Sequence, residues 1–389
     1  MQQLTAGPRA VYTDPQVRAL LGASTLRVGK GVELLTPDLR VREDISMTLV
    51  TGTIKRNMSA DIHGTCALTL ARKLAWGVDL VRPYMTLDDG RTRARWNVGV
   101  FALTTPKTTI GPSLRTYTVD GYDRLFLLQR QVGRDYTLPA GMTYAAALTQ
   151  VFTDAGLTGV LIDSSATALT LPAVKSWPLV PSSTDPDQAS TPTTWLRVIN
   201  DLLTAINYRG VWADQDGYYR CEQYQPPAQR GAEYHFDADA GLRLLGPQRV
   251  RTVDVWATPN RWVFIAQNPP DGVTPSQSNG LVYARDNLED GPLSQAPWPA
   301  GRGLVWPATY TYDAATPDVL ASLGDRRVAV DLATTTTFDV TTSPFPGAGH
   351  ADVFTYADVA AGGTRRVQAA SWSMPMSSAQ MSWTWEVVS

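Results

Sequence analysis

The sequence predicts a mainly β protein with an α+β middle. Three observations predict it. Short apolar runs divided by turn signals fill residues 36–130, two helix-period stretches and a tight hairpin occupy the centre, and runs with a period of two return after residue 246. At 389 residues the chain exceeds the usual size of one domain, so two or three cores are expected.

Residues 1–35 read as an N-terminal arm. In the strand-rich segment 36–130, the better runs are Ile45 to Ile54, Cys66 to Leu70, Trp96 to Leu103 and Leu114 to Val119. Asp88-Asp89-Gly90 and Gly111-Pro112 punctuate them, and strands at such spacing imply a barrel or a sandwich. Arg91, Arg93 and Arg95 recur at every second position, which places them on one face of a hairpin edge.

The segment 131–245 reads as an α/β middle. Thr143 is a candidate N-cap for a helix near 144–155, with Leu148, Val151, Phe152 and Ala155 on one face and Gly156 as its stop. A low-complexity linker, Ser182 to Thr194, follows. Thr194 then caps a second helix, 195–206, whose buried stripe is Trp195, Ile199, Leu202, Leu203 and Ile206. Gln215-Asp216-Gly217 closes a hairpin over 211–224, because Asp-Gly supplies the left-handed backbone that a two-residue turn needs.

The segment 246–389 is expected to return to strands at Val250 to Trp256, Trp262 to Ala266, Val328 to Leu332, Phe338 to Val340 and Val353 to Tyr356. Asn268 to Pro307 is dense in Pro, Gly, Ser and Asn and reads as a long loop with one short strand near Leu281 to Ala284. The final run sets Met381, Trp383, Trp385 and Val387 on one face against Ser382, Thr384 and Glu386 on the other. No short-period repeat is present, although the two strand-rich arms are of similar size.

Composition removes several function classes. Charged residues make up 18% and the net charge is −2, so the clustered basic surface of a nucleic-acid binder is missing. No stretch approaches the roughly 20 apolar residues of a membrane span, and Met1 to Pro15 lacks a basic-then-apolar leader pattern, so folding in a cytoplasm is expected. Cys66 and Cys221 each sit in a strand-like run and are expected to be buried thiols rather than a bridge.

Chemistry is equally sparse. His63, His235 and His350 have no ligand-spaced partner and read as surface or turn residues, so no metal is expected. No nucleophile elbow and no phosphate-binding glycine loop occurs, so neither catalytic nor cofactor-binding residues are assigned. Carboxylate pairs occur at Asp88 and Asp89, Asp237 and Asp239, and Glu289 and Asp290. A glycosidase needs such a pair facing across a cleft, whereas neighbours in a turn point to solvent. Of the 12 tryptophans, Trp298 and Trp306 fall in the Pro-rich loop and are the candidate partner contacts.

In order, these pieces resemble one family, the hub proteins of phage-type tails and of related injection machines. The resemblance is carried by Ala75-Trp76-Gly77-Val78-Asp79-Leu80-Val81-Arg82-Pro83-Tyr84 leading to Asp88-Asp89-Gly90, by Thr118-Val119-Asp120-Gly121-Tyr122-Asp123-Arg124-Leu125, and by Trp195 to Leu203 running into Trp212-Ala213-Asp214-Gln215-Asp216-Gly217-Tyr218-Tyr219. Val282-Tyr283-Ala284-Arg285-Asp286 and Arg365-Arg366-Val367-Gln368 extend it. The resemblance implies two tube-like β-barrel domains joined by a small α/β domain, the first over 36–130 and the second over 246–389, with some middle strands returning to the first barrel. It further implies a homotrimer whose six barrels mimic a six-fold tube and surround passing DNA. Distal tail, tail tube, tape-measure and tip or fibre proteins would be the neighbours, in a virion tail tip assembled in the host cytoplasm. No peptidase, lysozyme-like or receptor-binding extension of the longer members is expected from these residues. Two rival readings are carbohydrate binding through Trp298 and Trp306, and hydrolysis by Asp237 and Asp239.

Overall fold

A computed structural model describes residues 19–21, 27–91, 93–112, 115–179, 192–238, 249–267, 272–289, 291–314, 316–333, 336–345, 347–360, 362–376 and 380–388. The first arm holds β1 (Arg27–Leu35), β2 (Val41–Asp44), β3 (Leu49–Asn57), β4 (Gly64–Leu70), β5 (Leu80–Asp88), β6 (Arg93–Asn97), β7 (Phe101–Ile110) and β8 (Arg115–Asp123). The middle holds α1 (Leu125–Leu128), β9 (Tyr136–Leu138), α2 (Tyr144–Asp154), β10 (Val160–Ile162), β11 (Lys175–Trp177), α3 (Trp195–Thr204), β12 (Trp212–Ala213) and β13 (Tyr219–Cys221). The last part holds β14 (Tyr234–Asp237), β15 (Arg249–Val253), β16 (Arg261–Ala266), β17 (Val282–Asp286), β18 (Pro307–Tyr312), α4 (Pro317–Ala333), β19 (Thr336–Thr342), β20 (Val353–Asp358), β21 (Gly363–Pro375) and β22 (Met381–Val387). The fold is mainly β.

The two strand-rich arms meet in one 14-stranded sheet, in the order β15-β19-β22-β21-β3-β4-β8-β7-β5-β1-β2, with β6 on β5 and with β14 on β20, which pairs β21. The long strand β21 makes the join. Its first half pairs β20, Val367 to Ser373 pairs β22, and Ser371 to Pro375 pairs β3 of the first arm. The apolar side chains follow the sheet. Ile54, Leu68 and Val119 of the first arm share one core with Phe354, Trp372, Trp383 and Trp385 of the last. Burying such side chains stabilises by about 1.5–3 kcal/mol each for the aliphatic ones.

The middle has its own core, in which α2 and α3 pack with Leu148, Val151, Phe152, Ile199, Leu202 and Leu203 buried. Both helices start where their caps place them. Thr143 Oγ1 accepts from Ala146 N at 3.2 Å and Thr194 Oγ1 accepts from Arg197 N at 3.2 Å. Each cap is worth about 1 kcal/mol. Gly156, at φ +69°, closes α2. The linker from Ser182 falls largely outside the described residues.

Three expectations need correcting. Val328 to Leu332 is helix, the end of α4, rather than strand. Thr316 starts that helix, its Oγ1 accepting from Val319 N at 3.2 Å and its carbonyl from Leu320 N at 3.0 Å, while Pro317 occupies the first turn, where no N–H is needed. The helix lies against β16 and β17, close enough that a Cβ on Gly324 would stand 2.6 Å from Tyr283 and 2.7 Å from Phe264. The run Trp96 to Leu103 is two strands, split by Gly99 at φ +142°. Glu386 is buried at 7% exposure instead of facing solvent, although Ser382 on the same face of β22 is exposed, so the burial is local to the end of the strand, where Glu386 lies between Thr337 of β19 and Gln368 of β21.

The remaining unit inserts between β15 and β19. Its sheet, β17-β16-β18, packs Trp262, Phe264 and Ala266 against Leu320 of α4. Trp262 Nε1 and Tyr310 OH both donate to Asp331 Oδ2, at 2.9 and 3.0 Å. No helix among the described residues is long and apolar enough to cross a membrane.

Candidate functional site

The turn Asp214–Gly217 is built before it contacts anything else. Asp214 Oδ1 accepts from the amides of Asp216 (3.0 Å) and Tyr218 (2.9 Å), its Oδ2 takes Arg220 Nε at 2.8 Å, and its carbonyl accepts from Gly217 N at 3.1 Å. Gly217 sits at φ +91°, and a Cβ there would stand 2.8 Å from Val100 Cγ2, so both backbone and space demand glycine.

This turn touches both arms. Toward the first, Asn97 Nδ2 donates to Asp216, Arg82 Nη1 lies 3.8 Å from the same carboxylate, and Arg56 Nη2 donates to the carbonyl of Ala213 at 3.0 Å. Arg124, just after β8, donates to Gly217 O at 2.7 Å and to Thr158 O at 3.0 Å. Toward the last arm, Gln215 Nε2 reaches Ala348 O at 3.4 Å, and Trp212 stacks on His350 at 5.2 Å. A single turn thereby ties middle, first arm and last arm together.

Buried charge surrounds it. Glu33, 2% exposed, accepts from Arg82 at 3.0 and 2.7 Å and pairs Arg95 at 2.7 Å. Burial opposes ionisation there, but the Arg95 and Arg82 guanidiniums outweigh it and hold the carboxyl below its ordinary range. Asp123 accepts from Gly64 N at 2.6 Å and Leu125 N at 3.0 Å. Its burial nevertheless pushes it up to about 6, against the pull of Arg56 and those amides.

His63 and His350 sit in loops, the first half-buried and the second buried. The rings of His63 and His350 lie 4.3 Å apart, and only His235 on β14 is exposed. Burial and the charges of Arg56 and Arg209 bring His63 down to about 3, so it is neutral at neutral pH. Among the described residues, no group of three or more His, Cys, Asp or Glu is placed to hold a metal. Cys66 and Cys221 are buried free thiols.

Of the candidate contacts, Trp298 is 84% exposed and Trp306 46% exposed, and no ring contact joins them among the described residues. Trp306 instead meets Trp256 edge to face at 6.2 Å, with the Arg302 guanidinium 5.0 Å over the Trp256 ring. Trp256 is the residue the sequence reading passed over. It is not in a strand, because Asp254 Oδ1 accepts from the amides of Trp256 and Ala257, both at 3.1 Å, and turns the chain outward. Asp254, with Thr258-Pro259-Asn260 shortly after it, was the available turn signal. Asp88 and Asp89 accept from the amides of Gly90 (2.7 Å) and Arg91 (2.8 Å) at a hairpin tip. Asp237 lies on β14 beside His235 at 3.9 Å, and Asp239 and Asp290 are outside the described residues.

No protein-family model matches the sequence, and no curated protein matches it. Solved structures do. A tail protein from Neisseria meningitidis MC58 superposes with TM-score 0.62 at 11% identity, covering 92% of this chain and 96% of that one. The 43 kDa tail protein of prophage MuSo2 from Shewanella oneidensis gives 0.58 at 12% identity, over 92% and 98% of the two chains. The prophage tail protein gp18 from Listeria monocytogenes EGD-e gives 0.51 at 9% identity, over 92% and 94%. Over nearly its whole length, this chain has the fold of phage and prophage tail proteins.

Proposed function

We propose that the chain is a structural hub of a phage or phage-like tail tip. Three copies form a ring, each giving two tube-like barrels, so that a three-fold object presents a six-fold rim to the tail tube and surrounds the DNA channel. The observation that carries this reading is the join of the two strand-rich arms through β21 and β3, braced by the turn Asp214–Gly217. Such bracing gives a rigid bracket, and rigidity is what a ring built from repeated contacts needs to close. The near-neutral charge of −2 suits a lumen that passes DNA without holding its phosphates. The role is structural rather than enzymatic, and the neighbours are the distal tail, tube, tape-measure and tip or fibre proteins of the virion.

Imaging of purified tails labelled on this chain tests the reading. Label at the tip with three-fold averaging supports it; label along the tube or absent from particles refutes it. The exposure of Trp256, Trp298 and Trp306 favours a second reading, carbohydrate binding by the inserted unit. Retention of the chain on immobilised glycans, abolished by Trp298→Ala or Trp306→Ala, would establish that alternative.

A further inference from the structure

We propose that successive copies of this chain join head to tail by strand pairing, with β15 of one copy against β2 of the next. The inference rests on the three-copy reading above and names the contact that would make the ring.

The path of the main sheet is open at both ends. Among the described residues β15 has only β19 as a strand partner and β2 has only β1. An edge strand presents a row of amide and carbonyl groups to whatever strand comes next, and proteins seldom leave such an edge bare. Both end strands are also exposed on both faces. Val250 is 57% exposed and Val253 49%, Arg251 and Thr252 are exposed with them, and all four residues of β2 are exposed. Strands so little buried by their own chain gain from a partner that extends the sheet and covers the valines.

Charge selects the partner. On β15, Arg249 is engaged by Asp358 at 2.8 Å, whereas Arg251 makes no ion pair among the described residues. On β2, Glu43 and Asp44 stand at the edge, and Glu43 is held by Arg72 at 2.6 Å in an exposed pair that leaves room for a second guanidinium. Cross-strand opposite charges stabilise a sheet and like charges oppose it. Pairing β15 with its own copy about Arg251 would bring Arg251 toward Arg251, and because Arg42, the one cation of β2, is already engaged by Asp79 at 2.9 Å, pairing β2 with itself would leave its carboxylates without a free cation opposite. Pairing unlike edges sets Arg251 near Glu43. The contact is therefore heterologous, the kind that closes into a ring or runs on as a filament.

The test is disulfide trapping in assembled tails carrying the full chain, since paired strands bring Cα atoms within the roughly 7 Å that a disulfide spans. The native cysteines are buried and do not interfere. The variant Arg251→Cys with Glu43→Cys probes the contact in either strand sense. Thr252→Cys with Asp44→Cys reads a parallel sense and Val253→Cys with Val41→Cys an antiparallel one, both keeping Arg251 and Glu43. The expected result is a covalent series ending at three chains from the first variant and from one of the other two, with none from any single cysteine. Three copies per tip without cross-links from any pair would overturn this contact and leave the hub reading standing. A copy number other than three would overturn both. A cross-link from a single-cysteine variant to another tail protein would assign the edge to that protein and overturn the proposal.

Discussion

The guanidinium of Arg56, buried on β3, donates to the backbone carbonyl of Ala213 on β12 at 3.0 Å, so a charged side chain of the first arm holds the base of the middle hairpin. The same charge lies near Asp123 and draws its carboxyl downward against burial. Replacing it with methionine keeps the stem but leaves both acceptors without their cation. Breaking a buried charge contact in this way costs about 3–5 kcal/mol. Arg56→Met is expected to lower the unfolding midpoint in denaturant accordingly; an unchanged midpoint would remove Arg56 from the joint.

Gly217 and Gly77 separate strain from collision. Both have positive φ, +91° and +84°, but a Cβ at Gly217 would meet Val100 at 2.8 Å while one at Gly77 meets nothing within 4 Å. Gly77→Ala is expected to cost about 1–2 kcal/mol of backbone strain. Gly217→Ala adds overpacking of about 1–3 kcal/mol and should expose the middle to protease before the arms. Equal losses from the two changes would mean that the turn does not press on the first arm.

Glu386 makes stability depend on pH. Burial pushes its carboxyl from the ordinary 4.5 up to about 7. Because the folded-state value is the higher one, its contribution is most favourable below about pH 4.5 and is lost as pH rises through 7. Glu386→Gln should therefore stabilise at pH 8 by up to about 3.5 kcal/mol, at 1.4 per unit, and by nothing near pH 4. A stabilisation equal at both pH values would place the carboxyl in solvent.

The last strand holds the sheet together rather than ending it. β22 lies between β19 and β21, with Met381, Trp383 and Trp385 buried in the shared core. Trp385→Ala is expected to cost about 3–5 kcal/mol. Deleting Met381 to Ser389 should give a chain that aggregates and does not enter tails; a soluble truncation with an unchanged melt would contradict this.

What could be seen in the sequence divides along contact range. Thr143, Thr194 and Asp216-Gly217 act on residues two to four positions away, so both helix starts and the hairpin turn were legible. The final alternation was legible through Trp385 and failed at Glu386, which is buried by its surroundings at the end of β22 while Ser382 on the same face stays exposed. The start of α4 is a Thr-Pro-Asp signal, but Val328, Val330 and Leu332 alternate as a strand does, and only packing on Phe264 and Tyr283 decides for helix. The pairing of β21 with β3 joins segments more than 300 positions apart, for which no local pattern exists. For the site, Asp214–Gly217 stood out as a turn, yet its tie to Arg56, Arg124 and Ala348 came only with the fold. Trp298 and Trp306 were visible as loop aromatics, while Trp256 was hidden inside an apparent strand.

The number of copies of this chain per tail tip tests the central claim most directly. Quantitative mass measurement of purified tails, scaled to a tube protein of known ring size, is expected to give three. A count of six or twelve would contradict the account, since a chain that already supplies two strand-rich arms needs only three copies to present a six-fold rim.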